Sequence, residues 1–210
     1  MIKSPDILCK KLGLQFNDSK WFVLALTHRS IGSKNNERLE FLGDSILGFV
    51  IAEAIFEQFP KASEGELSRL RASLVNQESL ANLARKHNFG DYLILGSGEL
   101  KSGGYRRASI LSDAVEAIMG AIIKDKGIDA CKAWILELFA ERLEGLSLDN
   151  WQKDPKTRLQ EHMQSKQCDV PEYSLISELG LPHDKTFKVS CSIALSDEAV
   201  LGTGISRKKA

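Results

Sequence analysis

The chain has no excess charge of either sign: its 210 residues carry 28 basic and 28 acidic side chains. A strongly basic field, the usual electrostatic footprint of a nucleic-acid binder, is therefore absent. Dividing the chain changes little, since residues 1–149 hold 19 basic and 20 acidic groups and residues 150–210 hold 9 and 8. Long apolar runs are also missing. The longest, around Trp21 to Leu26, is far short of the roughly 20 residues a membrane span needs, so no membrane partner is expected. Met1 to Lys11 mixes Lys3, Asp6, Lys10 and Lys11 with few apolar residues, unlike a secretory signal. The four cysteines (Cys9, Cys131, Cys168 and Cys191) form no Cys-x-x-Cys pair, which disfavours a zinc site or a disulfide framework. A reduced, cytoplasmic protein is expected.

Proline is scarce, and its placement divides the chain. Three of the five prolines (Pro155, Pro171 and Pro182) fall after residue 150, whereas the long stretches between Pro5, Pro60 and Pro155 show helical periodicity. Helices are predicted over 4–13, 20–30, 36–59, 65–88, 108–125 and 128–143. Pro60 stops the third, and Ser63 with Glu66 three residues later forms a capping box for the fourth. Leu95 to Gly104 reads as an exposed Gly-rich loop. A linker over 148–153 separates a first domain, 1–147, from a second, 154–210. In the second, Pro155 to Gln167 is helix-like and Tyr173 to Leu179 reads as a strand. Phe187, Val189, Cys191, Ile193 and Leu195 then alternate with small or polar residues as a half-buried strand, and Val200 to Ile205 is a third. One helix leaves part of such a sheet's apolar face uncovered, so a further helix is expected beyond Ala210. The fold class is mainly α: an all-helical domain followed by a smaller α+β domain of order α-β-β-β.

What the sequence does contain is carboxylate in apolar surroundings. Between Leu39 and Ile55 the only charged residues are Glu40, Asp44 and Glu53. A helix this apolar around its circumference belongs in a core or an interface. Glu37, Glu40 and Asp44 nevertheless stand at i, i+3 and i+7 and so share one stripe. A second acidic pair, Asp113 and Glu116, is one turn apart on a helix otherwise built of Ala, Val, Ile and Met. An isolated acidic pair is ordinarily a solvated face, and Asp113 also suits a helix N-terminus. Two apolar helices each offering such a pair instead resemble the way a helical bundle builds a divalent-metal site, because unpaired carboxylates there are costly to desolvate. No His stands at i+3 of either acid, which disfavours a di-iron oxidoreductase; all-oxygen ligation favours Mg²⁺ or Mn²⁺. Glu66 is read as a cap.

The segment Asn36-Glu37-Arg38-Leu39-Glu40-Phe41-Leu42-Gly43-Asp44-Ser45 resembles the signature of bacterial ribonuclease III, and Asp113-Ala114-Val115-Glu116-Ala117 resembles that family's second acidic motif. Residues 154–210 resemble its double-stranded-RNA-binding domain without the final helix. The resemblance covers nearly the whole chain. It implies a Mg²⁺-dependent endonuclease on double-stranded RNA, with Mn²⁺ able to substitute and no nucleotide cofactor. It further implies a homodimer that leaves 5′-phosphate and 3′-hydroxyl ends with short 3′ overhangs and processes rRNA and mRNA precursors. Glu40, Asp113 and Glu116 match the metal-holding positions. Glu116 with Asp44 matches the catalytic acids, and Glu37 and Glu64 match accessory acids near the cleft.

Phe41 matches a residue that packs into the partner subunit, although periodicity alone equally suits a core aromatic. For the second domain, Thr157, Gln160 and His183 match minor-groove contacts, and Lys208 and Lys209 match phosphate-clasping lysines. A-form RNA is read by shape, through 2′-hydroxyls and phosphates, so polar groups of this kind suit the task. A non-catalytic RNA binder is the rival reading. It gives no physical reason to keep Glu40, Asp44, Asp113 and Glu116 among apolar residues. His28, His87 and His162 carry no expected role.

Overall fold

A computed structural model describes residues 3–148, 155–181 and 184–207. The chain divides into two compact units, 1–146 and 147–210. The expected linker over 148–153, apart from its first residue, and His183, Lys208 and Lys209 lie outside the described residues.

The first unit is helical: α1 (Pro5–Lys11), α2 (Lys20–Ala25), α3 (Glu37–Gln58), α4 (Glu64–Val75), α5 (Gln77–Lys86), α6 (Ser97–Lys101), α7 (Ala108–Lys126) and α8 (Ile128–Glu144). Its centre is the pair α3 and α7, the most extensive helix–helix contact, with α2, α5 and α8 also against α7. Helix α7 is buried around most of its girth, and α3 contributes Leu39, Ile46, Leu47, Val50, Ile51 and Ile55 to the same core. The start of α3 is pinned by buried Asn36, whose backbone N–H donates to Thr27 O at 2.9 Å and whose side-chain amide donates to Ala25 O at 3.3 Å. The capping box at Ser63 is present: Ser63 N–H donates to Glu66 Oε2 at 2.7 Å, and Glu66 N–H donates to Ser63 Oγ.

The structure departs from expectation at several elements, each for an identifiable reason. The helix predicted over 65–88 is two helices. Asn76 is extended (φ −71°, ψ 158°), and its side chain accepts from Ser79 N–H at 2.9 Å, so cap chemistry breaks the run. The helix predicted over 20–30 stops at Ala25. Residues 26–28 are drawn into extended pairing with residue 94: Ile94 N–H donates to Leu26 O at 2.9 Å and His28 N–H to Ile94 O at 3.0 Å. A 3₁₀ turn, Arg29–Ile31, follows. The stretch 95–104 is only partly an exposed loop, since Leu95 is buried and the short helix α6 lies within it. Finally, α3 is not covered all round: Phe41, Phe49 and Phe56 are 78%, 56% and 63% exposed.

The second unit comprises α9 (Pro155–Ser165) and an antiparallel meander of β1 (Glu172–Leu181), β2 (Asp184–Ile193) and β3 (Ser196–Gly204), in the order β1-β2-β3. In register, Leu175 faces Val189, which faces Gly202, and Tyr173 faces Cys191, which faces Val200. Met163 of α9 and Val189 of β2 are buried in this unit's small core. Leu195, expected to end the second strand, instead lies in the turn to β3 and is exposed.

Candidate active site

The carboxylate stripe of α3 meets that of α7 because the two backbones touch. A Cβ built on Gly43 would stand 1.7 Å from the Glu116 carbonyl oxygen, and one on Gly120 would stand 2.1 Å from the Leu39 carbonyl oxygen. Each helix thus presses a glycine against the backbone of the other, next to the acids. Nothing larger than hydrogen fits at either position. Both glycines were detectable as a signal, since a glycine inside an apolar helix costs about 1 kcal/mol relative to alanine and demands a packing reason.

At this crossing Glu40, Asp113 and Glu116 converge, each offering a carboxylate oxygen within 4.8 Å of the others, and all three are half-buried. Burial pushes the Glu116 carboxyl up to about 8, helped in turn by the negative charges of Asp44, Asp113 and Glu40. Glu40 is also raised, chiefly by burial and then by Asp113 and Glu37, against the opposing pull of Arg29. Asp113 is raised by burial, partly offset by a hydrogen bond from Ser112 Oγ (3.3 Å to Oδ1) and by the nearby Arg29 guanidinium. Three carboxyls that resist ionising together suit a cation that lets them do so. With oxygen donors only and no His or Cys in the group, the set suits a hard divalent ion.

Of the other predicted residues, Asp44 is exposed at the border of the trio, one turn along α3 from Glu40. Glu37 is exposed at the start of α3, ion-paired with Arg29 at 3.5 Å. Glu64 lies outside the trio, exposed on the first turn of α4, where it accepts from Ser68 Oγ at 2.6 Å. Glu53, farther along α3, is ion-paired with Lys132 of α8. Thr157 and Gln160 are both exposed, three residues apart on α9. Phe41 is exposed beside a concavity of about 870 Å³ that also includes Trp21, Leu24, Leu39 and Leu42.

Sequence reasoning missed the wall facing the acids. A cleft of about 310 Å³ runs over Glu40 and Asp113 and is bounded by His28, Arg29, Glu99 and Arg107. His28, given no role from sequence, is buried. Ser30 N–H donates to its Nδ1 at 3.2 Å, and Ser30 Oγ accepts from Gly96 N–H at 2.8 Å. No local signal marks this residue, because its placement depends on pairing with residue 94.

Comparison with known proteins agrees with the geometry. The Ribonuclease-III-like family profile matches residues 18–143, and the profile of the double-stranded RNA binding motif matches residues 155–210. Ribonuclease 3 of Methylococcus capsulatus is 60% identical over 210 residues, covering 100% of this chain and 91% of that protein. The crystal structure of the nuclease domain of ribonuclease III from Campylobacter jejuni aligns with a TM-score of 0.64 and 43% identity, covering 68% of this chain and 97% of that one. A second structure of that nuclease domain, described for structural flexibility in a region involved in dimer formation, aligns with a TM-score of 0.62 and 45% identity over 64% of this chain and 94% of that one. A helical unit whose half-buried acids meet at a glycine crossing, followed by an α-β-β-β unit with its own RNA-binding profile, makes this chain a member of the ribonuclease III family, an endonuclease of double-stranded RNA.

Proposed function

We propose that the chain hydrolyses phosphodiester bonds of double-stranded RNA in a reaction that requires a divalent cation, Mg²⁺ with Mn²⁺ as a substitute. The ion would be held by Glu40, Asp113 and Glu116. The observation that carries this reading is their convergence within 4.8 Å across two apolar helices. Such an ion supplies positive charge for the scissile phosphate and a water of lowered pKa. The protein's own part is positional. Glu40 is fixed by α3, Asp113 and Glu116 are fixed by α7, and the glycine contacts hold those helices at one spacing. Asp44, exposed on α3 one turn from Glu40, would help orient the attacking water, and Glu116 would serve with it as a catalytic acid. Glu37 and Glu64 are accessory acids on the strength of the family match alone.

Ends of 5′-phosphate and 3′-hydroxyl type follow when water attacks the phosphorus and the bond to the 3′ oxygen breaks, that oxygen leaving as the hydroxyl; short 3′ overhangs follow when two such centres cut opposite strands in a homodimer. Support for the dimer comes from Phe41, Phe49 and Phe56, exposed along α3, and from the neighbouring concavity that could receive Phe41 of a second copy. Sedimentation showing a monomer at micromolar concentration would sink this part. We assign residues 1–147 to catalysis and 154–210 to duplex binding. Thr157, Gln160 and His183 then contact the minor groove, and Lys208 and Lys209 contact phosphates. Processing of rRNA and mRNA precursors in the cytoplasm is the corresponding cellular role; among the described residues no helix is long and apolar enough to cross a membrane.

The test is cleavage of a long RNA duplex in Mg²⁺, in EDTA, and by Glu116→Gln. Cleavage should stop in EDTA, and the variant should lose on the order of 10²–10³ in turnover, the scale of removing one charge-stabilising group. Near-native turnover by the variant, or cutting in EDTA, rejects the assignment.

A further inference from the structure

Glu40 and Asp113 share their cleft with two arginines that the roles assigned above do not use. Arg107 immediately precedes α7, six residues before Asp113, and lines the same cleft as Asp113 and Glu40. Its Nη1 is 2.9 Å from Glu99 Oε1. The Glu99 side chain is only 19% exposed. Its Oε1 accepts from Ser102 Oγ at 3.3 Å and lies 2.5 Å from where a Cβ on Gly104 would stand. The carboxylate is therefore fixed, and it aims the arginine. Arg29, which also lines the cleft, reaches Glu37 Oε1 at 3.5 Å, both side chains being more than half exposed. Buried His28 lines the same cleft. The first turn of α7 adds no carboxylate, and Ser109 and Ile110 of that turn line the cleft.

We propose that Arg107 and Arg29 form a phosphate clamp of the nuclease unit, taking non-bridging oxygens of the RNA backbone beside the acidic trio. Glu99 acts as the positioning residue for Arg107. The proposal rests on the endonuclease reading of the same site and deepens it.

Three physical points support the clamp. Each arginine engages its carboxylate through one recorded nitrogen, leaving other donors of the planar fork for a phosphate. The Arg29–Glu37 pair is exposed and so contributes little, which makes exchange of Glu37 for a phosphate inexpensive. The cleft is also otherwise acidic, with Glu37, Glu40, Glu99 and Asp113 around it, so a polyanion needs fixed cations there in addition to any ion the trio holds. The neutral overall charge makes such local placement the more necessary.

The experiment uses the full chain, wild type and Arg107→Ala, Arg107→Lys and Arg29→Ala, each checked for an unchanged melting temperature. Single-turnover cleavage of a duplex in Mg²⁺ is measured across a salt series, and Mn²⁺ binding is measured without RNA. Arg107→Ala should lower kcat/KM about tenfold at moderate salt and reduce the salt slope by about one, with Mn²⁺ affinity unchanged. Arg29→Ala should change in the same direction but less. Arg107→Lys should restore the slope yet only part of the rate, since an ammonium keeps charge without the fork. An unchanged slope and rate would overturn the clamp, as would a rate loss matched by weakened Mn²⁺ binding, which would make the arginines supports of the acids. If the wild type fails to cut at all, the endonuclease reading itself has failed.

Discussion

The two units of the chain put their functional side chains in opposite surroundings. In the helical unit Glu40, Asp113 and Glu116 are half-buried where two backbones touch, and burial raises the pKa of all three. In the α-β-β-β unit Thr157 and Gln160 stand exposed on α9, above a core of residues such as Met163 and Val189. Holding a divalent cation asks for carboxylates brought together against their mutual repulsion. Recognising a duplex by shape requires only that polar groups be displayed at the right spacing. The first demand couples activity to the integrity of the core, and the second does not.

That contrast is broken most severely at the glycine crossing. Gly43→Ala places a methyl group 1.7 Å from a carbonyl oxygen of α7, so the helices must separate. A destabilisation on the order of 3 kcal/mol or more is expected, with loss of cleavage, measured by urea unfolding of the full chain. A stability change under ~1 kcal/mol would mean that the crossing yields easily and that burial does not set the spacing.

A smaller effect is expected from pH. In the metal-free protein Glu116 titrates at about 8 in the folded state against an ordinary value of 4.5. The folded chain therefore holds a proton that the unfolded chain has already released between those values. The contribution of this group is full below about pH 4.5 and is lost as pH rises through about 8. Glu40 and Asp113, also raised, act in the same direction. Melting temperatures in EDTA should fall from pH 5 to pH 8, and Glu116→Gln should flatten that fall. Identical slopes for the two proteins would show that Glu116 is not the frustrated group.

The smallest effect belongs to the displayed residues. Thr157→Ala with Gln160→Ala should weaken duplex binding a few-fold while leaving the melting temperature and the rate at saturating RNA unchanged. A rate defect at saturation would show that the second unit takes part in cutting.

Much of this architecture was legible from residue order. The α3 helix announces itself through its apolar period and Pro60, and its acids through their i, i+3, i+7 spacing. The capping box at Ser63 is a local pattern and was read as one. The break at Asn76 was hidden because the helical period runs through it and only cap chemistry reveals it. The unwinding after Ala25 was invisible for a deeper reason: it depends on Ile94, far along the chain. His28, Arg29 and Arg107 went unread as one wall for the same cause, since three separate segments meet there. Phe41 was ambiguous between core and surface until its exposure was known.

The reciprocal seating of Gly43 and Gly120 makes the distance between the acid-bearing helices a matter of main-chain atoms in contact. Side chains elsewhere in the bundle can drift in size over evolutionary time, or hop between rotamers, without altering that gauge. The enzyme therefore carries its own ruler, marked in hydrogen atoms, and only two positions need to be kept for it to read true.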